Sequence, residues 1–420
     1  MKISLSSLAA GAALLASLGV VSPVRADQPS ASWVTSWATA LQSIPQLDTP
    51  PPLYRAPDVA GRSVRQIVYP TLGGRVVRIR VSNEYGRTPL VIKSMGIAPS
   101  AGGAAASTAG AARVTFGGRP GLSVPPGEER DSDPVDIDLR AGIPYAISSY
   151  MGREQRMTAW HRVASQVDYV SRPGDHVADD SPAAFSQRFT QYAWVTGLAV
   201  EAPGASTVAA IGDSITDGMR SSLNQNRRWP DALARRLARE QRRDLAVIDL
   251  GISGNRLLSD SPCYGSALER RFERDALRHP GVKTVVLLIG INDINFQETT
   301  ARAGLDCDAP HTHVNAEDLI AGYKRVIALA HADGVHIVGA TLTSASLPPE
   351  REAIRASVNK WIRTSRAFDD VADFDAALRD PADPVRLRRE YDSGDHIHPS
   401  NAGYSAMAEA VPLTALTGRH

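Results

Sequence analysis

Cysteine is scarce in this chain: there are two in 420 residues, Cys263 and Cys307. Neither sits in a C-x-x-C or a Cys/His ligand spacing, which leaves no case for a structural zinc module. Charge of one sign is lacking too. Lys and Arg total 46 against 45 Asp and Glu, a net charge of +1. That balance gives no electrostatic footprint for nucleic acid or an anionic bilayer, and neither is expected as a partner. Long apolar runs are absent beyond Leu8–Val21, which is shorter than the ~20 residues a spanning helix needs. Stable membrane insertion is therefore not expected. With Lys2 before that run and Val24-Arg25-Ala26 after it, residues 1–26 read as a signal peptide. The protein is thus expected to be secreted, extracellular or periplasmic. There the two cysteines should form a disulfide, closing a loop of about 45 residues worth roughly 3–4 kcal/mol.

What is present suits a globular chain with a proper core: 43% hydrophobic and 22% charged residues. Two textures follow one another. Residues 32–201 read as short strands broken by Gly, Pro and Asp. Arg75–Val81 alternates in part between cationic and apolar residues, the period of a half-buried strand. Leu90–Ile92, Ala112–Phe116, Val135–Leu139 and Tyr145–Met151 continue the plan. The Ala/Gly/Ser-rich stretch Ala101–Ala112 reads as a loop. This half is expected to be a β-sandwich, jelly-roll-like. Trp33, Trp37 and Trp194 are candidates either for a glycan-stacking face or for packing.

From Ser206 the pattern becomes strand and helix in alternation. Thr207–Ile211, Ala246–Leu250, Thr284–Ile289, Val335–Ala340 and Val371–Phe374 read as buried strands. Helical patterns at Asp231–Arg243, Ala316–Ala332, Arg351–Arg366 and Asn401–Glu409 separate or follow them. The alternation predicts an α/β fold, a doubly wound parallel sheet, over residues 204–420.

Ligands of such sheets bind beyond the C-terminal strand ends. Four short runs fall there. Gly212-Asp213-Ser214 follows the first strand. Gly251-Ile252-Ser253-Gly254-Asn255 follows the second and aims backbone N–H groups into the crevice. Gly290-Ile291-Asn292-Asp293 follows the third. Asp395-His396-Ile397-His398-Pro399 lies near the C-terminus. An Asp three residues before a His folds into one turn, with the carboxylate on one ring nitrogen and the other facing outward. That is the orienter and base that a serine nucleophile needs. Asp392 is a second candidate for the carboxylate, six residues from His398. Ser253 is expected to be a structural hydroxyl. His396 with His398, and His311 with His313, form His-x-His pairs, but no further ligand motif accompanies them.

These four runs resemble the SGNH/GDSL hydrolase superfamily, over roughly Ser206–Ala415. The preceding half resembles, more weakly, the β-sandwich found before this domain in some secreted bacterial members. The resemblance implies a three-layer α/β/α fold with strand order 2-1-3-4-5. It implies an ester hydrolase that needs no metal and no cofactor. It gives Ser214, Asp395 and His398 the catalytic roles, and the Ser214 N–H, the Gly254 N–H and the Asn292 side chain the oxyanion hole. The expected substrate is an ester with a short acyl group, including acetyl on polysaccharide. A lipid or aryl ester, or acyl transfer by the same triad, remains a second reading. A non-catalytic glycan-binding scaffold is a third.

Overall fold

In the C-terminal half, apolar segments without polar interruption become central strands, because a parallel sheet is covered on both faces. Val208, Ala209, Ala210 and Ile211 are fully buried, as are Val285 and Val286. Five strands, Ser206–Gly212, Leu245–Gly251, Val282–Leu288, His336–Ala340 and Asp370–Ala372, pair in parallel in the order 2-1-3-4-5. The structure is a computed structural model that describes residues 32–416. Residues 1–26, which the sequence reading takes as a signal peptide, lie outside the described residues.

Among the described residues, eight α-helices connect or follow the strands: α1 (Ser214–Asp217), α2 (Trp229–Arg239), α3 (Leu268–Phe272), α4 (Ile291–Phe296), α5 (Ala316–Ala332), α6 (Pro349–Thr364), α7 (Phe374–Leu378) and α8 (Asn401–Ala410). Their ends are set by side chains. Asn315 caps α5 by accepting from the N–H groups of Glu317 and Asp318, and Asp318 answers to the Asn315 N–H at 2.9 Å. Ser400 caps α8 by accepting from the Gly403 N–H. Helices α2, α7 and α8 pack together, and α5 packs on α3 and α6.

Residues 33–201 are sheet-rich. One antiparallel sheet runs in the order Trp33–Ala38, Val195–Glu201, Gly74–Ser82, Val135–Leu139, with Glu129–Asp131 beside Gly74–Ser82. A second has Gln187–Phe189, Asp168–Pro173, Arg62–Val68, Tyr145–Met151, Leu90–Gly102 and Ala105–Ala106. Val135–Leu139 alternates buried and exposed residue by residue, the pleat of a strand with one wet face. Trp37 and Trp194 are buried in the core of this half. Trp33 lies under the Arg78 guanidinium, 4.5 Å from its ring centre. These positions serve packing, not a stacking face.

Two readings need correction. The stretch Ala101–Ala112 is not all loop. The Leu90 strand runs on through Gly102, and Ala105–Ala106 pairs back onto it. The turn is confined to Gly103-Ala104, where Gly102 and Gly103 take positive φ and send the chain back as a hairpin. The last parallel strand stops at Ala372, because Asp373 caps α7 and Phe374 opens that helix.

Residues 32–416 form one compact unit. The Thr35 N–H donates to the Pro280 carbonyl at 2.9 Å, and the Thr207 hydroxyl to the Thr35 carbonyl at 2.9 Å. Thr71 exchanges two 2.9 Å bonds with the backbone of Val247. Among the described residues no helix is long and apolar enough to cross a membrane.

Candidate active site

The first parallel strand ends in Gly212 for a steric reason. A Cβ there would collide with the Leu288 carbonyl and the Thr216 side chain. Asp213 then leaves the strand and caps α1, accepting from the Ile215 N–H at 3.0 Å. Ser214 is therefore the first residue of a short helix at the C-terminal edge of the sheet. Its Oγ lies 2.8 Å from His398 Nε2. His398 Nδ1 lies 2.9 Å from Asp395 Oδ2.

The loop that carries His398 is closed on itself. Ser393 N–H donates to the His398 carbonyl at 3.1 Å, Ser400 N–H to the Tyr391 carbonyl at 2.7 Å, and Ser400 then caps α8. Asp395 Oδ1 accepts from the N–H groups of His398 at 2.8 Å and Ile397 at 3.1 Å. Partial burial pushes the Asp395 carboxyl up, but the His398 backbone and ring and the Ile397 N–H outweigh it. The net effect holds it well below the usual carboxylate range. An ionised Asp395 facing Nδ1 fixes the tautomer in which Nε2 is free to accept a proton. Asp392 does something else. Its Oδ2 meets His396 Nδ1 at 2.6 Å, and His396 is largely exposed. His396 and His398 thus face different partners. His311 lies elsewhere, between Asp306 and the Phe296 carbonyl.

Gly254 and Asn292 converge on the same loop. Gly254 has φ +84°, and a Cβ would enter the Tyr264 ring. Only glycine allows that turn with the ring packed on it. Among the described residues the Gly254 N–H has no protein acceptor. Asn292 donates one amide hydrogen to the Asn255 carbonyl at 2.9 Å, which leaves its second free. Ser253 is bonded to Asp217 through both its N–H, at 2.8 Å, and its hydroxyl, at 2.5 Å.

Three supporting residues were given no role by the sequence. Arg271 is fully buried and donates to the Gly212 and Leu250 carbonyls and to Asn255 Oδ1. It ties the ends of two strands to the donor loop. Arg220, with φ +70°, donates from Nε to Asp395 Oδ2 at 3.0 Å. Asn255 donates to the carbonyls of Tyr264 and Ser266. A helix with many arginines reads as a solvated face, so Arg271 is invisible until the fold is known. Arg220 sits beside a motif and Asn255 closes one, and that placement in sequence was their only mark.

Burial pushes the Asp213 carboxyl up to about 7. The folded chain therefore keeps a proton that the unfolded chain releases near pH ~4. Stability from this group falls as pH rises between about 4 and 7. Asp213→Asn keeps the acceptor for Ile215 and has no proton to lose. The stability difference, variant minus wild type, should move in favour of the variant between pH 5 and pH 8. Urea unfolding at the two pH values measures it, and a difference that is flat or moves the other way contradicts the burial effect.

Residues 210–406 match the model of the GDSL-like lipase/acylhydrolase family. This half of the chain is a GDSL hydrolase domain. It makes the protein a carboxylic ester hydrolase. A comparison with curated proteins gave no match. Among solved structures, a variant of an acetyl xylan esterase from Geobacillus stearothermophilus is 22% identical, covering 52% of this chain and 97% of that one, with TM-score 0.36. A GDSL-like lipase from Bacteroides thetaiotaomicron is 16% identical, covering 51% and 89%, with TM-score 0.36. An α/β hydrolase from the metagenome of Lake Arreo is 21% identical, covering 52% and 98%, with TM-score 0.38. The GDSL domain also holds the disulfide, Cys263–Cys307, with Cα atoms 5.1 Å apart. It staples the Tyr264 loop, which covers Gly254, to the segment around Asp308.

Proposed function

We propose that the protein is a secreted serine esterase that cleaves short-chain acyl esters through an acyl-enzyme on Ser214. The observation that carries this reading is the continuous line Asp395–His398–Ser214, with contacts of 2.9 and 2.8 Å. His398 Nε2 takes the Ser214 proton as Oγ attacks the ester carbonyl. The tetrahedral oxyanion is met by the Ser214 N–H, the Gly254 N–H and the Asn292 amide. Each such donor contributes roughly 10²–10³ in rate. The intermediate collapses, the alcohol leaves with the proton from His398, and the acyl group stays on Oγ. Water, deprotonated by His398, repeats the sequence and frees the acid.

For the substrate class we infer a short acyl group, with one ring near the donor loop in support. The Tyr264 ring, stacked on Phe296 at 5.7 Å, closes one side of the Gly254 turn. That wall favours small acyl groups, and acetyl groups on polysaccharide are the natural substrate class we propose. Export is supported by the disulfide, which forms and persists in oxidising compartments. For architecture we read residues 32–201 as a β-sandwich accessory domain and 204–420 as a three-layer catalytic domain. Two separately packed helix groups, α2–α7–α8 and α3–α5–α6, support the layers, since right-handed crossovers from this strand order send helices to opposite faces.

The test is acyl-length selectivity with site labelling. Hydrolysis of p-nitrophenyl acetate should exceed that of the octanoate by about 10-fold or more in kcat/KM. A fluorophosphonate should label Ser214, read by peptide mass spectrometry. Preference for octanoate overturns the acyl length. A label on another serine overturns the nucleophile.

A further inference from the structure

Among the residues of the sheet-rich half that reach the catalytic edge is His161. It is 3% exposed. Its backbone exchanges two hydrogen bonds with Tyr192, and the two rings stack at 6.1 Å. Ring nitrogen Nδ1 lies 3.0 Å from the Ala40 carbonyl, and Nε2 lies 3.1 Å from the Val163 carbonyl. A carbonyl only accepts. An imidazole with an acceptor at each nitrogen carries both protons and is a cation.

That buried cation has its counter-ion across the boundary. Asp217 Oδ1 is 3.0 Å from His161 Nε2, and Asp217 is 1% exposed. The Nε2–H direction favours the Val163 carbonyl, so the pair meets as two charges, not as a linear hydrogen bond. The other Asp217 oxygen holds the N–H and hydroxyl of Ser253. Asp217 closes the helix that Ser214 opens, and Ser253 precedes Gly254. One carboxylate therefore joins the nucleophile's helix to the turn that presents an oxyanion donor.

We propose that His161 is a positioning residue for the esterase reaction, acting through Asp217 and Ser253 to hold the Gly254 N–H at its place beside Ser214. The proposal rests on the triad reading above. The mechanism is electrostatic. With a cation at 3.0 Å, the buried Asp217 carboxylate has its counter-ion and holds both Ser253 donors on one oxygen. Without it, a buried charge is left with no partner, and the carboxylate and the Ser253 groups bonded to it shift from their places. Burial pushes the His161 ring down, but Asp217 and the more distant Asp249 push it further up, and the net direction is up. The sheet-rich half is then part of the working enzyme: it supplies the charge that orders the donor loop.

The experiment uses the full chain and p-nitrophenyl acetate. His161→Gln removes the charge and keeps the bulk. Ser253→Ala removes one Asp217 contact. Thr71→Val breaks a contact between the same two halves away from the site. In His161→Gln, kcat should fall about 10- to 100-fold with KM within about threefold, because a displaced oxyanion donor weakens only the transition state. Ser253→Ala should fall about 3- to 10-fold in kcat, and the double variant should fall no further than His161→Gln alone. Thr71→Val should lose melting temperature and keep kcat within about twofold. A His161→Gln kcat within about twofold of wild type overturns the proposal, as does a loss that Thr71→Val reproduces at equal melting temperature. If His161→Gln does not fold, two results decide. Ser253→Ala must lower kcat, and ¹⁵N ring shifts of His161 in the wild type must show more imidazolium than a free ring has at the same pH. A ring no more protonated than that overturns the proposal. Wild-type activity lost in Ser214→Ala but kept in His161→Gln sinks the positioning role alone. Activity that survives Ser214→Ala sinks the triad reading beneath it.

Discussion

Ser214→Ala and His398→Ala each lower kcat on p-nitrophenyl acetate by on the order of 10⁴–10⁶, and the double variant loses no more than either single one. The non-additivity is the sharper half of this expectation. The hydroxyl and the ring are one device: without Oγ there is nothing for Nε2 to deprotonate, and without Nε2 the hydroxyl stays a poor nucleophile. Their 2.8 Å contact makes each silent without the other. What survives is binding plus the oxyanion donors, about 10³ above water. Ser214→Ala should fold as wild type does, since it removes one hydroxyl from a single part-buried bond, worth about 1 kcal/mol. Single-turnover assays on the three variants measure this. Losses that multiply in the double variant would mean that Ser214 and His398 act in separate steps.

The parallel sheet was legible because burial on both faces writes itself as uninterrupted apolar runs. All five strands were found within a few residues, and Ala316–Ala332 matches α5 at both ends. The alternation of Val135–Leu139 was equally plain. Edge and bulged strands were harder. Trp33–Ala38, Arg62–Val68 and Asp168–Pro173 carry buried Ser, Arg, Gln and Asp, so no period of two stands out. Arg65 is one cause: it is buried on carbonyls of Ala104 and Asp179, which no local pattern announces.

At the site, the residues that sit in motifs were legible, since a Gly-Asp-Ser or an Asp-x-x-His is compact in sequence. The shell that holds them was not. Arg271 reaches Gly212 from 59 residues away, and His161 reaches Asp217 across the boundary between the two halves. Such contacts exist only once the sheets are packed together. A lone His in a strand-rich segment, like an Arg in a basic helix, has no spacing that marks it. The relation between the halves was also out of reach. Residues 32–416 pack as one compact unit, and no local pattern announces the contacts between the two halves.

Asp395→Asn lowers kcat by about 10⁴, whereas Asp392→Asn costs less than about 10-fold. Geometry gives both numbers their sign. In the wild type, Asp395 Oδ1 accepts two backbone N–H groups, from Ile397 and His398. An asparagine there must keep its oxygen on those donors. Its NH₂ then falls where Oδ2 was, 2.9 Å from His398 Nδ1 and 3.0 Å from Arg220 Nε. An amide hydrogen pointing at Nδ1 forces the ring proton onto Nε2, where it faces Ser214 Oγ. The base is blocked by its own proton, and the amide also meets the Arg220 donor head-on. Asp392→Asn can make the same adjustment at no cost to the reaction. Its oxygen keeps the N–H groups of Gly394 and His396, and only the His396 ring contact changes. That ring is mostly in water and touches neither Ser214 nor Asp395. The comparison is made on kcat at pH 8 with p-nitrophenyl acetate, where wild-type rates are set beside the two asparagine variants. A collapse in Asp392→Asn with Asp395→Asn left active would mean that His398 takes its orientation from Asp392 in the working enzyme.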